Sequence, residues 1–270
     1  MSYLKLYFKF ISIFLKSKLE YPFGFFMEIF ANIVLVGIYY IGIGVIFSEF
    51  NNINGWSYYE VLFLFNINWI SYSFSGLFFW APMLNLGETI RNGEFDSYLI
   101  RPIDPLAHIV LKQFQYTFIA RLFLALILFA DSIIHLGVVW NISKVIFLIV
   151  TVFSGFVIHS AILVLIGAIS FWIIQNREFG RLLSDNNNGI RTFIDFPVSI
   201  YKKGIQFVLT FIFPYAFINF YPATFILNKA GEGIFQPVFQ YMAPVVAIIL
   251  AVLAWKIWNR GLRRYNSIGN

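Results

Sequence analysis

The chain contains no cysteine, which excludes disulfides, zinc–thiolate sites and cysteine nucleophiles. It is poor in charge as well. Asp, Glu, Lys and Arg make up 12% of its 270 residues, where soluble domains carry about a quarter. It has no GxxxxGK[ST] phosphate loop, no HExxH, no GxSxG and no Gly-rich dinucleotide fingerprint. ATP binding through a P-loop is therefore excluded from this chain, and no catalytic or metal site is expected. The three histidines, His108, His135 and His159, are far apart in sequence and read as interfacial or packed groups. No small-residue cleavage site follows a short apolar core near the start, so the first residues are expected to belong to the mature protein.

What is abundant is apolar surface. Sixty per cent of the residues are hydrophobic, 21% are aromatic, and the mean hydropathy is +0.77. A soluble fold of this length could not hide so much of it, so the solvent must be lipid. A span needs roughly 20 mostly apolar residues. Six candidates lie at about 23–47, 58–82, 113–136, 145–174, 205–227 and 241–258. Pro214 and Pro222 interrupt the fifth, which must kink or end in a re-entrant turn. The expected fold class is an all-α polytopic membrane protein, one transmembrane domain over 1–270. Residues 3–20 alternate Lys5, Lys9, Ser12 and Lys16 with apolar side chains at helical spacing. That pattern predicts an amphipathic interfacial helix over 1–22, separated from the first span by Pro22.

Positive charge is distributed unevenly. Sixteen of the 19 Lys and Arg residues fall in the amino-terminal segment, the 83–112 and 175–204 loops and the tail. The alternate loops hold only Lys144 and Lys229, and Arg121 lies in the third span. The positive-inside rule then places both termini and both of those loops in the cytoplasm of a cell-membrane protein. The net charge of +6 is thus a topology signal and does not imply a nucleic-acid partner.

Few ionisable groups lie within spans. Asp131 and His135 share a helical face, either as a proton-sensitive pair or as a hydrated cap at the span end. Glu28 and Arg121 read as anchors or an interhelix pair. In the second span Asn68, Ser71, Tyr72 and Ser75 recur on one face. That face should meet protein or water, lining a translocation path or bonding to neighbouring helices.

The 83–112 segment mixes Leu84, Leu86, Ile90, Phe95 and Leu99 with Glu88, Arg91, Glu94, Asp96 and Arg101. A short helix over 85–92 should stop at Gly93, and Asp104–Pro105 should cap the start of the third span. Asp96 and Arg101 are expected to brace the turn between as an ion pair. Such an ordered segment suits docking. The pattern Ile90-x-x-Gly93-x-x-Asp96-x-x-Leu99-x-Arg101-Pro102-x-x-Pro105 resembles the signature of ABC-2 family ABC transporter permeases, in the branch that includes a proposed viologen exporter. The resemblance extends over most of the chain.

The resemblance implies a permease half of an ABC exporter. A second permease chain, identical or paralogous, would complete the path within membrane lipid. A separate ABC ATPase subunit, carrying the ATP and magnesium, would dock on the motif residues as the coupling site. It also implies that the second and fifth spans face the path, and that substrates are lipids, glycans, peptides or hydrophobic drugs. Two other classes stay open on the residues alone: a self-contained secondary transporter, and a non-transporting immunity or assembly factor.

Overall fold

The computed structural model describes Ser12 and residues 16–173, 177–184, 189–229 and 237–265. Nearly all of the expected interfacial helix lies outside these residues. Its described end, 16–19, is helical and turns at Glu20 and Tyr21. There α1 (Pro22–Glu49) begins, with Pro22 in the first turn, where its missing N–H costs no hydrogen bond.

The second span starts at α2 (Tyr58–Ser75), and its first turn is closed by a reciprocal cap. The Glu60 carboxylate accepts the Ser57 backbone N–H at 2.8 Å, and the Ser57 side chain accepts an N–H of the first turn. The helix runs on through a π-helical turn, Gly76–Trp80, into α3 (Ala81–Leu84) and α4 (Leu86–Arg91). After it come α5 (Asp96–Leu99), α6 (Pro105–Lys112), α7 (Thr117–His135), α8 (Ile142–Ile169), α9 (Arg177–Ser184), α10 (Lys203–Phe207), α11 (Phe220–Ile226) and α12 (Ala243–Arg264). Among the described residues the only β feature is an isolated bridge between Ile53 and Trp56.

Among the described residues five stretches are long and apolar enough to cross a bilayer: Pro22–Glu49, Tyr58–Arg91, Thr117–His135, Ile142–Ile169 and Ala243–Arg264. They correspond to the first four and the last of the expected spans. The remaining one, 205–227, is a pair of helical arms, Lys203–Ile212 and Tyr215–Ile226, bent by 80° at Pro214.

Contacts decide what the bent pair is. Just before its first arm, Ser199 accepts a hydrogen bond from Trp56 Nε1 at 3.0 Å. Just after its second arm, Lys229 Nζ donates to the Gly55 carbonyl at 2.6 Å and pairs with Glu60 at 3.2 Å. The outer ends of both arms thus lie at the end of the bundle where α2 begins. The bend lies deep, where the Tyr215 hydroxyl donates to the Leu183 carbonyl at 2.9 Å. The pair is a re-entrant hairpin.

The crossing expected of it is made by the preceding residues. Tyr72 bonds the Ser184 carbonyl at 3.0 Å, Asn68 bonds Asp195 at 2.7 Å, and Trp56 bonds Ser199. These contacts climb α2 toward its start. The expectation of a 175–204 loop on one side is corrected accordingly. Residues 189–201 run back through the bundle in 3-10 turns, Ile190–Asp195 and Val198–Ile200. Arg191 is wholly buried, and Lys202 and Lys203 are exposed at the far end. The charge bias falls to thirteen against four and keeps its direction.

Both described chain ends meet the 83–112 end of the bundle. The Tyr116 hydroxyl bonds Glu28 below α7, and the Tyr265 hydroxyl donates to Asp96 at 2.9 Å.

Candidate functional sites: an end platform and a buried polar seam

The platform is built from α4, α5 and α6. Gly93 ends α4 at φ +72°, and its N–H donates to the Ile90 carbonyl at 3.0 Å. A side chain there would meet open space but an unfavourable backbone. Phe95 is wholly buried, with its ring edge-to-face with Phe171 at 5.4 Å and Tyr265 at 4.8 Å. Tyr98 is buried against His108 at 4.8 Å, and Lys112 Nζ lies 5.0 Å from the Tyr98 ring centre. Asp104 caps α6 by accepting the Ala107 N–H at 3.0 Å, with Pro105 in the first turn.

Two expectations change here. The Asp104–Pro105 cap starts α6, a separate eight-residue helix, and the third span begins only at Thr117. Arg101 is exposed and makes no ion pair with Asp96 among the described residues. The Asp96 carboxylate instead accepts from Tyr265. Burial and the Asp96 bond push that phenol up to about 12, so it stays a proton donor. Burial, then Arg101 and Lys112, holds His108 below the usual imidazole value and favours its neutral form.

Of the motif residues, Ile90 is buried and anchors the platform, while Asp96 and Pro105 are half-buried. Leu99, Arg101 and Pro102 face outward with Glu88, Arg91, Glu94 and Ile100, the last 84% exposed. The platform therefore has an apolar root keyed into α8 and the tail, and an outer face of mixed charge.

The seam is the second site. Asn68, Ser71, Tyr72 and Ser75 are all fully buried in this chain. They divide between two partners. Ser71 Oγ donates to the Val152 carbonyl at 3.1 Å, and Ser75 accepts from Ser160 at 3.0 Å, both on α8. Asn68 bonds Asp195 in the irregular crossing segment, while Tyr72 donates to the Ser184 carbonyl at the end of α9 and meets the crossing segment through the Arg191 guanidinium.

Around that second pair lies a cluster that sequence reasoning missed. Arg191 and Asp195 pair at 3.4 Å. Asp195 also accepts from Trp69 Nε1 at 3.2 Å, and the Arg191 guanidinium stacks 4.3 Å from the Tyr72 ring centre. His159 Nε2 is 3.1 Å from Asn68 Oδ1, and Asn219 bonds the carbonyls of Leu64 and Ile194 at 3.1 and 2.6 Å. The available signal was an Arg and an Asp four apart inside the apolar run Ile190 to Ile200. Such a pair inside a membrane protein pays a desolvation cost that close packing and hydrogen bonds must offset.

Asp131 and His135 pair at 3.4 Å, about half exposed, with His135 stacked on Tyr59. Arg121 Nε donates to Asn32 at 2.8 Å and ties α7 to α1.

Helical fold, apolar spans and end platform define an all-α polytopic membrane protein. The model of the ABC-2 family transporter protein matches residues 33–269, and the chain belongs to that family of ABC transporter membrane components. The match spans both the platform and the seam. No curated protein and no solved structure matches the chain.

Proposed function

We propose that the chain is the permease subunit of an ATP-driven exporter in the cell membrane, with both termini cytoplasmic. In this reading it pairs with a second permease chain. Each copy receives a separate ABC ATPase on the outer face of Ile90 to Pro105. The observation that carries the reading is the platform itself. It is ordered, exposed on one side, and keyed on the other through Phe95 and Tyr265 to the ends of α8 and α12. Closure of an ATPase dimer would move the platforms, and rigid helices would pass the motion to the path as alternating access.

The polar face of α2 takes two roles in this reading. Ser71 and Ser75 hold α2 to α8. Asn68 and Tyr72 meet a segment without regular helical bonding, and they wall the path when that segment parts from α2.

The experiment is pull-down of the tagged permease from its native membrane to look for a co-purifying ABC ATPase, with substrate-dependent hydrolysis measured in proteoliposomes. Gly93→Val and Arg101→Ala should leave insertion intact and lower docking or coupled hydrolysis. Normal docking and normal transport in both variants would sink the coupling role of this platform.

A further inference from the structure

At the platform end of the bundle, a concave pocket of about 270 Å³ opens between the end of the second span and α9. It is lined by Trp80, Ala81, Leu84, Asn85, Gln115, Arg177 and Arg181. Its described wall holds two cations, two side-chain amides and no carboxylate. Arg177 and Arg181 lie one turn apart and so share a face of α9. That face is held close to the second span, because Gly180 packs so tightly on Leu84 that a Cβ would collide with the leucine side chain. Glu178 holds Arg181 Nη1 at 3.1 Å from outside the pocket, and one such contact occupies only part of a five-donor fork. Among the described residues Arg177 has no carboxylate partner.

Depth narrows the ligand. Trp80 lies 22 residues beyond Tyr58, about 33 Å along a helix. That distance matches a hydrocarbon core of about 30 Å, so the pocket sits at the headgroup boundary, where Trp is favoured. Paired guanidiniums with amide donors suit a phosphate in planar, bidentate contact.

We propose that this pocket binds a phosphate group, either the headgroup of an anionic phospholipid or a soluble phosphate, through Arg177 and Arg181 with Asn85 and Gln115 as amide donors. The site is separate from the outward docking face and from the buried seam.

The test uses the full-length permease in nanodiscs and in detergent. Binding of spin-labelled phosphatidylglycerol is compared with spin-labelled phosphatidylcholine, and inorganic phosphate is titrated against a thermal melt. Arg177→Ala with Arg181→Ala should lower phosphatidylglycerol affinity about tenfold, whereas Arg263→Ala with Arg264→Ala at the same end should leave it unchanged. Asn85→Asp supplies a variant that keeps both arginines. The Asn85 side chain makes no cap hydrogen bond at the start of α4, so the fold should hold while an added carboxylate repels phosphate and lowers the affinity several-fold. A lipid preference abolished by these changes supports the phospholipid source. Stabilisation by inorganic phosphate, lost in the same variants and without lipid preference, supports the soluble source. Equal binding of both lipids together with no phosphate stabilisation would overturn the proposal, as would pocket variants that bind like the wild type.

Discussion

The first two membrane helices invert the rule that governs soluble proteins. In α1, the more apolar of the two, 17% of the apolar stretch is buried, and Phe23, Ile38 and Ile41 point outward. In the second span, which carries Asn66, Asn68, Ser71, Ser73 and Ser75, 89% is buried. Lipid tails are as apolar as leucine, so nothing drives α1 inward. A hydroxyl or amide facing lipid would be costly, so the polar helix takes the centre and its neighbours supply partners.

A further contrast separates two segments that the count of positive charges places on the same side, 83–112 and 175–204. One remains at the end of the bundle as a platform. The other leaves it, because Arg191 and Asp195 find partners on the second span and draw the chain inward. The most decisive experiment sets these apart by labelling, and the lack of native cysteine makes it clean. Cysteine at Lys202 should react with an impermeant thiol reagent in intact cells as one at Asn52 does, and one at Ser97 should be protected. Protection at Lys202 together with Ser97 would restore the simple loop.

Loss of one partner in the buried pair should have the largest effect on stability. Asp195→Leu should destabilise by about 3–5 kcal/mol, since it removes the carboxylate from a buried ion pair. Arg191→Met combined with Asp195→Leu should recover most of that, read from detergent unfolding midpoints. No recovery in the double variant would mean that the pair is not the unit that matters.

Ser71→Phe comes next. A Cβ built on Gly155 already lies 2.6 Å from Ser71 Oγ, so α2 and α8 leave no room for a ring. Overpacking of this kind costs about 1–3 kcal/mol or more, and the variant should fail in expression or assembly. Normal assembly with blocked transport would instead place Ser71 on an open path.

The smallest effect belongs to α1. Ile41 is 66% exposed, and Ile41→Ala should change stability by no more than about 0.5 kcal/mol. A loss of several kcal/mol would show that α1 is covered by protein, as a second chain would do.

Sequence alone determined five of the six spans and the local stops of the platform. Each of these rests on short-range physics. Apolar length sets a span, Gly93 permits φ +72°, and Asp104 with Pro105 starts a helix whatever lies around it. The charge bias keeps its direction when three of its sixteen positive groups are moved, because the excess was large. Tertiary structure alone decided the rest. Whether Pro214 kinks a span or turns a hairpin back depends on where its two ends dock, and Ser199 and Lys229 both meet the 53–60 turn. Whether Asp96 braces Arg101 or Tyr265 depends on a residue 169 positions away. Whether the polar face of α2 meets water or protein depends on a crossing segment that periodicity cannot reveal, because it is not a regular helix.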